Sequence, residues 1–159
     1  MFNHSEFGLW GESQAQKHLK KKGLKILAQN FETTSGEIDI VCLQSRASAK
    51  KQAKDIEKQI DEAHGMAKFD LHKKLTQKHF ECADNTLVFV EVKSRSAESA
   101  GVASPSEAVN AKKQNKYESL AKAYVGKNKQ FSEHPWRFDI VEVVEKGGIP
   151  QINHIEGAF

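Results

Sequence analysis

The chain is short of cysteine, short of proline and free of long apolar runs, and each scarcity excludes something. Its 159 residues include two cysteines, Cys42 and Cys82. That is too few for a disulfide framework, so a packed core must hold the fold, and a reducing cytoplasm is the expected location. Cys42 lies inside an apolar stretch and reads as a small buried residue. No apolar run approaches the ~20 residues of a membrane-spanning helix, and residues 1–6 lack the basic-then-apolar pattern of a signal peptide. No membrane partner is expected. Neither sign of charge dominates: 24 Lys and Arg against 21 Asp and Glu leave a net charge of +3. Such a balance permits a nucleic-acid partner without requiring one. A phosphate-binding glycine loop, a nucleophile elbow and internal repeats are all missing.

The length fits one domain, here residues 1–159, with a real core and room for an embellishment. Residues 5–22 read as a helix in which Glu12, Ala15 and Leu19 share a face, closed by Lys20, Lys21, Lys22 and the C-cap candidate Gly23. Residues 24–31 and 37–43 read as strands around the turn Thr33-Thr34-Ser35-Gly36. Residues 45–85 differ in character. They are rich in Lys, Gln, Asp and Glu, and Ala53, Ile56, Ile60, Ala63 and Ala67 recur at helical spacing. This predicts a helical insertion, as one long or two shorter amphipathic helices with a break near Gly65. Residues 87–92 are apolar on both faces, the pattern of a central strand covered on both sides. A small-residue loop then leads to a helix opened by Pro105, with Tyr117, Leu120, Ala121 and Tyr124 as its apolar stripe. Strands at 136–144 and 149–155 flank the turn at Gly147-Gly148. The predicted class is α/β, a small mixed sheet flanked by helices.

Two strands carry charge where a core strand should carry none. In Gly36-Glu37-Ile38-Asp39-Ile40-Val41, Asp39 stands among apolar neighbours, and a buried ionised carboxylate is costly unless paired or bound to metal. In Leu87-Val88-Phe89-Val90-Glu91-Val92-Lys93, alternation puts Glu91 and Lys93 on one face. The bland readings are a turn-capping Asp39 and a surface ion pair between Glu91 and Lys93. The chemical reading sets Asp39 beside Glu91. The two carboxylates and the Val92 carbonyl would then hold Mg²⁺ or Mn²⁺, with Lys93 acting on an attacking water. Phosphodiester hydrolysis calls for such combined help. Glu12 is a third carboxylate on the packing face of the first helix, either a rim residue suited to the helix dipole or a group reaching the same site. Lys112, Lys113 and Lys116, with Arg95, suit phosphate contact, although a solvated polar face explains such clusters equally. His64, His72, His79 and Cys82 match no compact zinc spacing.

These strings also resemble a known family. Gly11-Glu12, Ala15, Leu19, Gly23, Ile26, Leu27 and Asn30, then Gly36-Glu37-Ile38-Asp39, are similar to the opening of the YraN-like proteins, bacterial predicted endonucleases. The resemblance continues through residues 87–95, 105–113, Arg137-Phe138-Asp139-Ile140-Val141 and Ala158-Phe159. It implies a restriction-endonuclease-like fold shared with PD-(D/E)xK nucleases and similar to archaeal Holliday-junction resolvases. It also implies Asp39, Glu91 and Lys93 as the catalytic set, with Glu12 as the accessory acid. The expected activity is metal-dependent DNA endonuclease, on branched or damaged DNA in repair or recombination. A homodimer would supply the two sites that duplex cutting needs. The alternative is a non-catalytic DNA-binding or protein-interaction module on the same fold. Two departures from the family stand out. Residues 45–85 replace a short hairpin, and Glu32-Thr33-Thr34-Ser35 stands where basic residues are usual.

Overall fold

The computed structural model describes residues 4–81, 85–97 and 111–159; the side chains of residues 4, 5, 77–81, 111 and 112 lie outside that description. Cys82 and the expected helix opening at Pro105 also fall outside it.

The helix expected first is α1, His4–Lys21. Glu6 sits in its first turn and His18, Lys20 and Lys21 in its last, each sign at the end the helix dipole favours. Gly23, at φ 83°, ends it in the left-handed conformation glycine adopts without strain. Strands β1 (Leu24–Thr33) and β2 (Gly36–Gln44) form a hairpin, with Ser35 donating to Thr33 Oγ1 in the turn. The stretch after β2 forms two helices, α2 (Arg46–Glu62) and α3 (Gly65–Glu81), the second opened by Gly65 at φ 59°. Then come β3 (Thr86–Ser96), α4 (Ala111–Lys127), β4 (Trp136–Lys146) and β5 (Ile149–Ile155).

The sheet order is β1-β2-β3-β4-β5, antiparallel except for the parallel pair β3/β4. That pair requires a crossover, which α4 supplies. Alternation along β3 explains the layering. Val88 and Val90 face one way, packing with Ile40, Cys42, Val141 and Val143 under Ala15 and Leu19 of α1. Leu87 and Phe89 face the other way, packing with Val41 and Phe138 under Tyr117, Leu120, Ala121 and Tyr124 of α4. This is the expected α/β architecture: a mixed sheet between helices, restriction-endonuclease-like in class. All four stripe residues expected on α4 are buried.

The α2–α3 hairpin leaves the sheet where Gln44 pairs with Thr86, the far end of β2 from Asp39. Ser45 caps α2 by accepting from the Ser48 amide, and Gln52 donates to the Lys22 carbonyl at 2.7 Å. Ala49, Ala53 and Ile60 are its buried face. Ala53 and Ile60 were expected there; Ala67 is exposed. Among the described residues, no helix is long and apolar enough to cross a membrane.

Candidate active site

Asp39 and Glu91 come together because of where the β2/β3 ladder stops. Its last pair is Ile40–Val90, so the next position on each strand is Asp39 and Glu91. Beyond that point the side chain of Asp39 replaces the partner strand: the Val92 amide donates to its Oδ2 at 2.6 Å. A strand residue turns its N–H and C=O toward the same neighbour. The Val92 carbonyl is therefore directed to the same gap. Burial along β3 changes at this place, from buried through Glu91 to half-buried from Val92 onward. The site thus opens at the rim of the core.

Glu91 lies on the α4 face, as Leu87 and Phe89 do. Lys93 forms an ion pair with its Oε1, and Lys113 of α4 reaches the same oxygen at 2.9 Å. The Tyr117 hydroxyl, one helical turn after Lys113, also favours the ionised form of Glu91. Burial raises the proton affinity of Glu91, but these donors outweigh it and hold the carboxyl below its ordinary range. Lys93 is displaced oppositely: burial disfavours its charge, Glu91 more than restores it, and the ammonium titrates above its usual range. As it stands, Lys93 is a cation rather than a free amine. Glu91 Oε2 is buried and, among the described residues, has no hydrogen-bond partner.

Asp39 lacks such compensation. Burial raises its pKa, the Val92 amide partly offsets this, and the negative charges of Glu12, Glu91 and Glu37 add to it, so the carboxyl is pushed up to about 6. Glu12 is half-buried, and its charge is felt at Asp39. The buried row of α1 is Gly11, Ala15 and Leu19, with Glu12 on its flank. An under-neutralised Asp39, an orphaned buried Glu91 oxygen and a carbonyl turned to the same gap are a donor set that fits a hard divalent cation. Among the described residues no three His, Cys, Asp or Glu side chains gather closely enough to form a metal cage. Mg²⁺ does not demand one, since one or two carboxylates with water and phosphate oxygens are its usual shell.

The residues expected to meet phosphate are placed unevenly. Lys113 is engaged with Glu91. Arg95 pairs with Glu142 of β4. Lys116 is exposed, and its chain lies over the backbone of Gly36 at the start of β2. The side chain of Lys112 lies outside the described residues.

One charged cluster was not singled out in the sequence. Arg137 Nε and Nη2 bond to the two oxygens of Asp139 at 2.8 and 3.1 Å, His154 Nε2 bonds to Oδ2 at 2.9 Å, and the Gly157 amide donates to Oδ1 at 3.0 Å. Arg137 also reaches Glu156, which pairs with Lys22. The signal was present: charges at i and i+2 inside an apolar strand, the same pattern that marks Glu91 and Lys93. Here it ties the segment after β5 to the core.

A family model described as "Uncharacterised protein family UPF0102" matches residues 11–143. A UPF0102 protein of Syntrophomonas wolfei is 34% identical over 154 residues, covering 97% of each chain. One from Caldanaerobacter subterraneus is 32% identical over 160 residues, covering 99% of this chain and 97% of the relative. Another, from Alkaliphilus oremlandii, is 33% identical over 160 residues, covering 98% of this chain and 99% of its own. The match takes in Glu12, the Asp39 strand, the Glu91-Val92-Lys93 strand and Asp139 alike, and the chain belongs to the UPF0102 (YraN-like) family.

Proposed function

We propose that this protein is a Mg²⁺- or Mn²⁺-dependent DNA endonuclease that hydrolyses phosphodiester bonds, with branched or damaged DNA as its substrate class. The observation that carries this reading is the juxtaposition of Asp39 and Glu91 where the ladder ends, with Lys93 on the Glu91 carboxylate. Asp39, Glu91 and the Val92 carbonyl are the proposed metal ligands. When bound, the cation would polarise the phosphate and acidify an attacking water. Lys93 orients that water beside the phosphorus and offsets developing negative charge. Glu12 receives or relays the proton as the accessory acid. Lys113, Lys112, Lys116 and Arg95 are the proposed phosphate contacts, as point charges and a fork at the rim. A homodimer in the cytoplasm would place two such sites on a duplex.

The test is cleavage of end-labelled single-stranded, duplex, flapped and four-way-junction DNA with Mg²⁺ or Mn²⁺, beside Asp39→Ala and Lys93→Ala. The expected result is cutting of at least one substrate and its loss in both variants, with folding and salt-dependent binding retained. Cutting by either variant at the wild-type rate would remove the assignment.

A second reading, a protein-interaction module, is favoured by one feature of the hairpin. Met66 and Phe69 of α3 are 74% and 66% exposed.

A further inference from the structure

One residue before Glu12, α1 lies tight against the sheet. Gly11 is buried against Ser94 of β3, the residue after Lys93. A Cβ built on Gly11 would fall inside contact distance of Ser94 Cβ and 2.8 Å from its Oγ. No flexible side-chain end is available to yield, because the obstructing Cβ is fixed to the central strand. The buried row on α1 also grows along the helix, from Gly11 to Ala15 to Leu19. Side-chain bulk sets how closely a helix packs. The smallest residue of the row is thus at the end nearest Asp39 and Glu91.

We infer that Gly11 and Ser94 form a positioning contact that seats α1 on β3 and so holds the Glu12 carboxylate at the Asp39–Glu91 cleft. The inference rests on the endonuclease reading only for the use to which Glu12 is put; the seating itself is independent of it. Gly11 offers nothing else at this place. It lies inside a helix, where glycine costs roughly 1 kcal/mol relative to alanine, and positive φ does not call for it, since its backbone is not among the left-handed residues. Glu12 follows Gly11 directly and Ser94 lies one residue past Lys93, so the contact fixes the start of the Glu12 side chain beside the charged end of β3. Gly8, earlier on the same helix, has nothing within 4 Å of a built Cβ, so a tight seat is not a general property of the glycines of α1.

The contact can be broken and remade. Gly11→Ala lifts the helix. Adding Ser94→Gly deletes both obstructing atoms and leaves Ser94 Cα, at the ordinary contact distance of 3.7 Å, as the next nearest. Two readouts serve. The first needs no metal and no activity: the change in the Glu12 side-chain carboxyl ¹³C shift when Asp39 is replaced by Asn. It should be clear in the wild-type background, reduced at least several-fold with Gly11→Ala, and recovered with Gly11→Ala/Ser94→Gly. The second is Mn²⁺ affinity by EPR. Gly11→Ala should weaken it about tenfold, the double variant should restore it to within about threefold, and Glu12→Gln should add nothing to Gly11→Ala. If Gly11→Ala fails to fold, Ser94→Val presses the same contact from the strand side and should give the same two losses. Coupling of Glu12 to Asp39 that is unchanged by Gly11→Ala, or losses from Gly11→Ala and Glu12→Gln that simply add, would overturn the inference. A wild-type protein that binds no Mn²⁺ would count against the endonuclease reading alone, since the carboxyl-shift comparison would still decide the seating.

Discussion

The Asp39 carboxylate stands in for a strand: its Oδ2 accepts the Val92 amide at 2.6 Å where the main-chain ladder between β2 and β3 has ended. This exchange satisfies a half-buried donor and leaves a charged group at the rim of the core among three other carboxylates. Sites of this kind trade stability for chemistry.

Replacing that charge should therefore stabilise the metal-free protein. The folded-state pKa of Asp39 is raised from 3.8 to about 6. Between those values the folded state binds the extra proton, so stability falls as pH rises through the window, and the cost is fully present above it. Asn at position 39 still accepts from Val92 without the charge. After discounting for solvent screening, Asp39→Asn should gain about 1 kcal/mol, or roughly 2–4 °C in Tm, at pH 8 and nothing at pH 3.5. Metal-free thermal melts at the two pH values check this.

Divalent cation should reverse the order of stability. If Mn²⁺ binds only the folded state, a concentration of 100 times Kd adds about 2.7 kcal/mol, a Tm rise of roughly 5–10 °C for a chain of this size. Asp39→Asn and Glu91→Gln should show no rise, and Arg95→Gln should respond as the wild type does. A rise of equal size in Glu91→Gln would place the cation elsewhere.

Strand alternation made much of this site legible. Glu91 and Lys93 are marked by period-two patterning, and Asp39 by being a charge in an apolar strand. Their meeting follows from two strands that pair once the hairpin between them is set aside. The approach of Lys113 and Tyr117 to Glu91 was not legible, because it depends on how α4 docks across β3, which no local pattern encodes. Arg95 illustrates the same limit. The parallel register sets Lys93 opposite Glu142, and the sequence near Arg95 holds no trace of that partner. The Gly11 seat was hidden for another reason: helical periodicity pointed to Glu12, Ala15 and Leu19, and glycine carries no weight in a hydrophobic pattern.

Two glycines at turns should separate backbone strain from steric obstruction. Gly36 has φ 135°, and a Cβ there would meet Lys116 Cε and come within 2.5 Å of its Nζ. Gly148 has φ 82° with nothing within 4 Å. Gly148→Ala should cost about 1 kcal/mol, the strain of a left-handed residue. Gly36→Ala should cost more, about 2 kcal/mol, and Lys116→Ala should relieve the difference. Urea unfolding of the four proteins is the measurement.

The Arg137–Asp139–His154 cluster should carry the response to acid. Burial disfavours the Asp139 charge, but His154 and Arg137 outweigh it and hold the carboxyl below its ordinary range. Its contribution is therefore present above the unfolded value and lost as pH falls through the folded one. His18, whose ring lies edge-on to His154 at 5.4 Å, is lowered to about 4, chiefly by burial and then by His154 and Lys22. The unfolded state takes up that proton first, so stability falls as pH drops from 6.5 toward 4. His18→Gln should flatten the pH dependence in that window. Asp139→Ala, which removes both carboxylate bonds from the buried Arg137 and leaves it the more distant Glu156, should cost about 3 kcal/mol at pH 7. Chemical unfolding at pH 7 and pH 4.5 tests both.

The α2–α3 hairpin should be dispensable for the chemistry. It leaves the sheet at the Gln44–Thr86 pair, while Asp39 and Glu91 lie just past the other end of the same ladder. Because Gln44 and Thr86 already sit opposite each other, the residues between them can be exchanged for a two-residue Asn-Gly loop, whose backbone twist suits an antiparallel hairpin. The loss of Ala49, Ala53 and Ile60 as buried contacts should lower stability by a few kcal/mol. Mn²⁺ affinity should stay within about threefold of the parent, since no group named at the site comes from α2 or α3. If Met66 and Phe69 bind a second copy, light scattering should show the shortened protein to be a monomer and the parent a dimer. A shortened protein that folds yet no longer binds Mn²⁺ would show that the hairpin shapes the site from a distance, which the anchoring of α2 on the carbonyl of Lys22 gives no reason to expect.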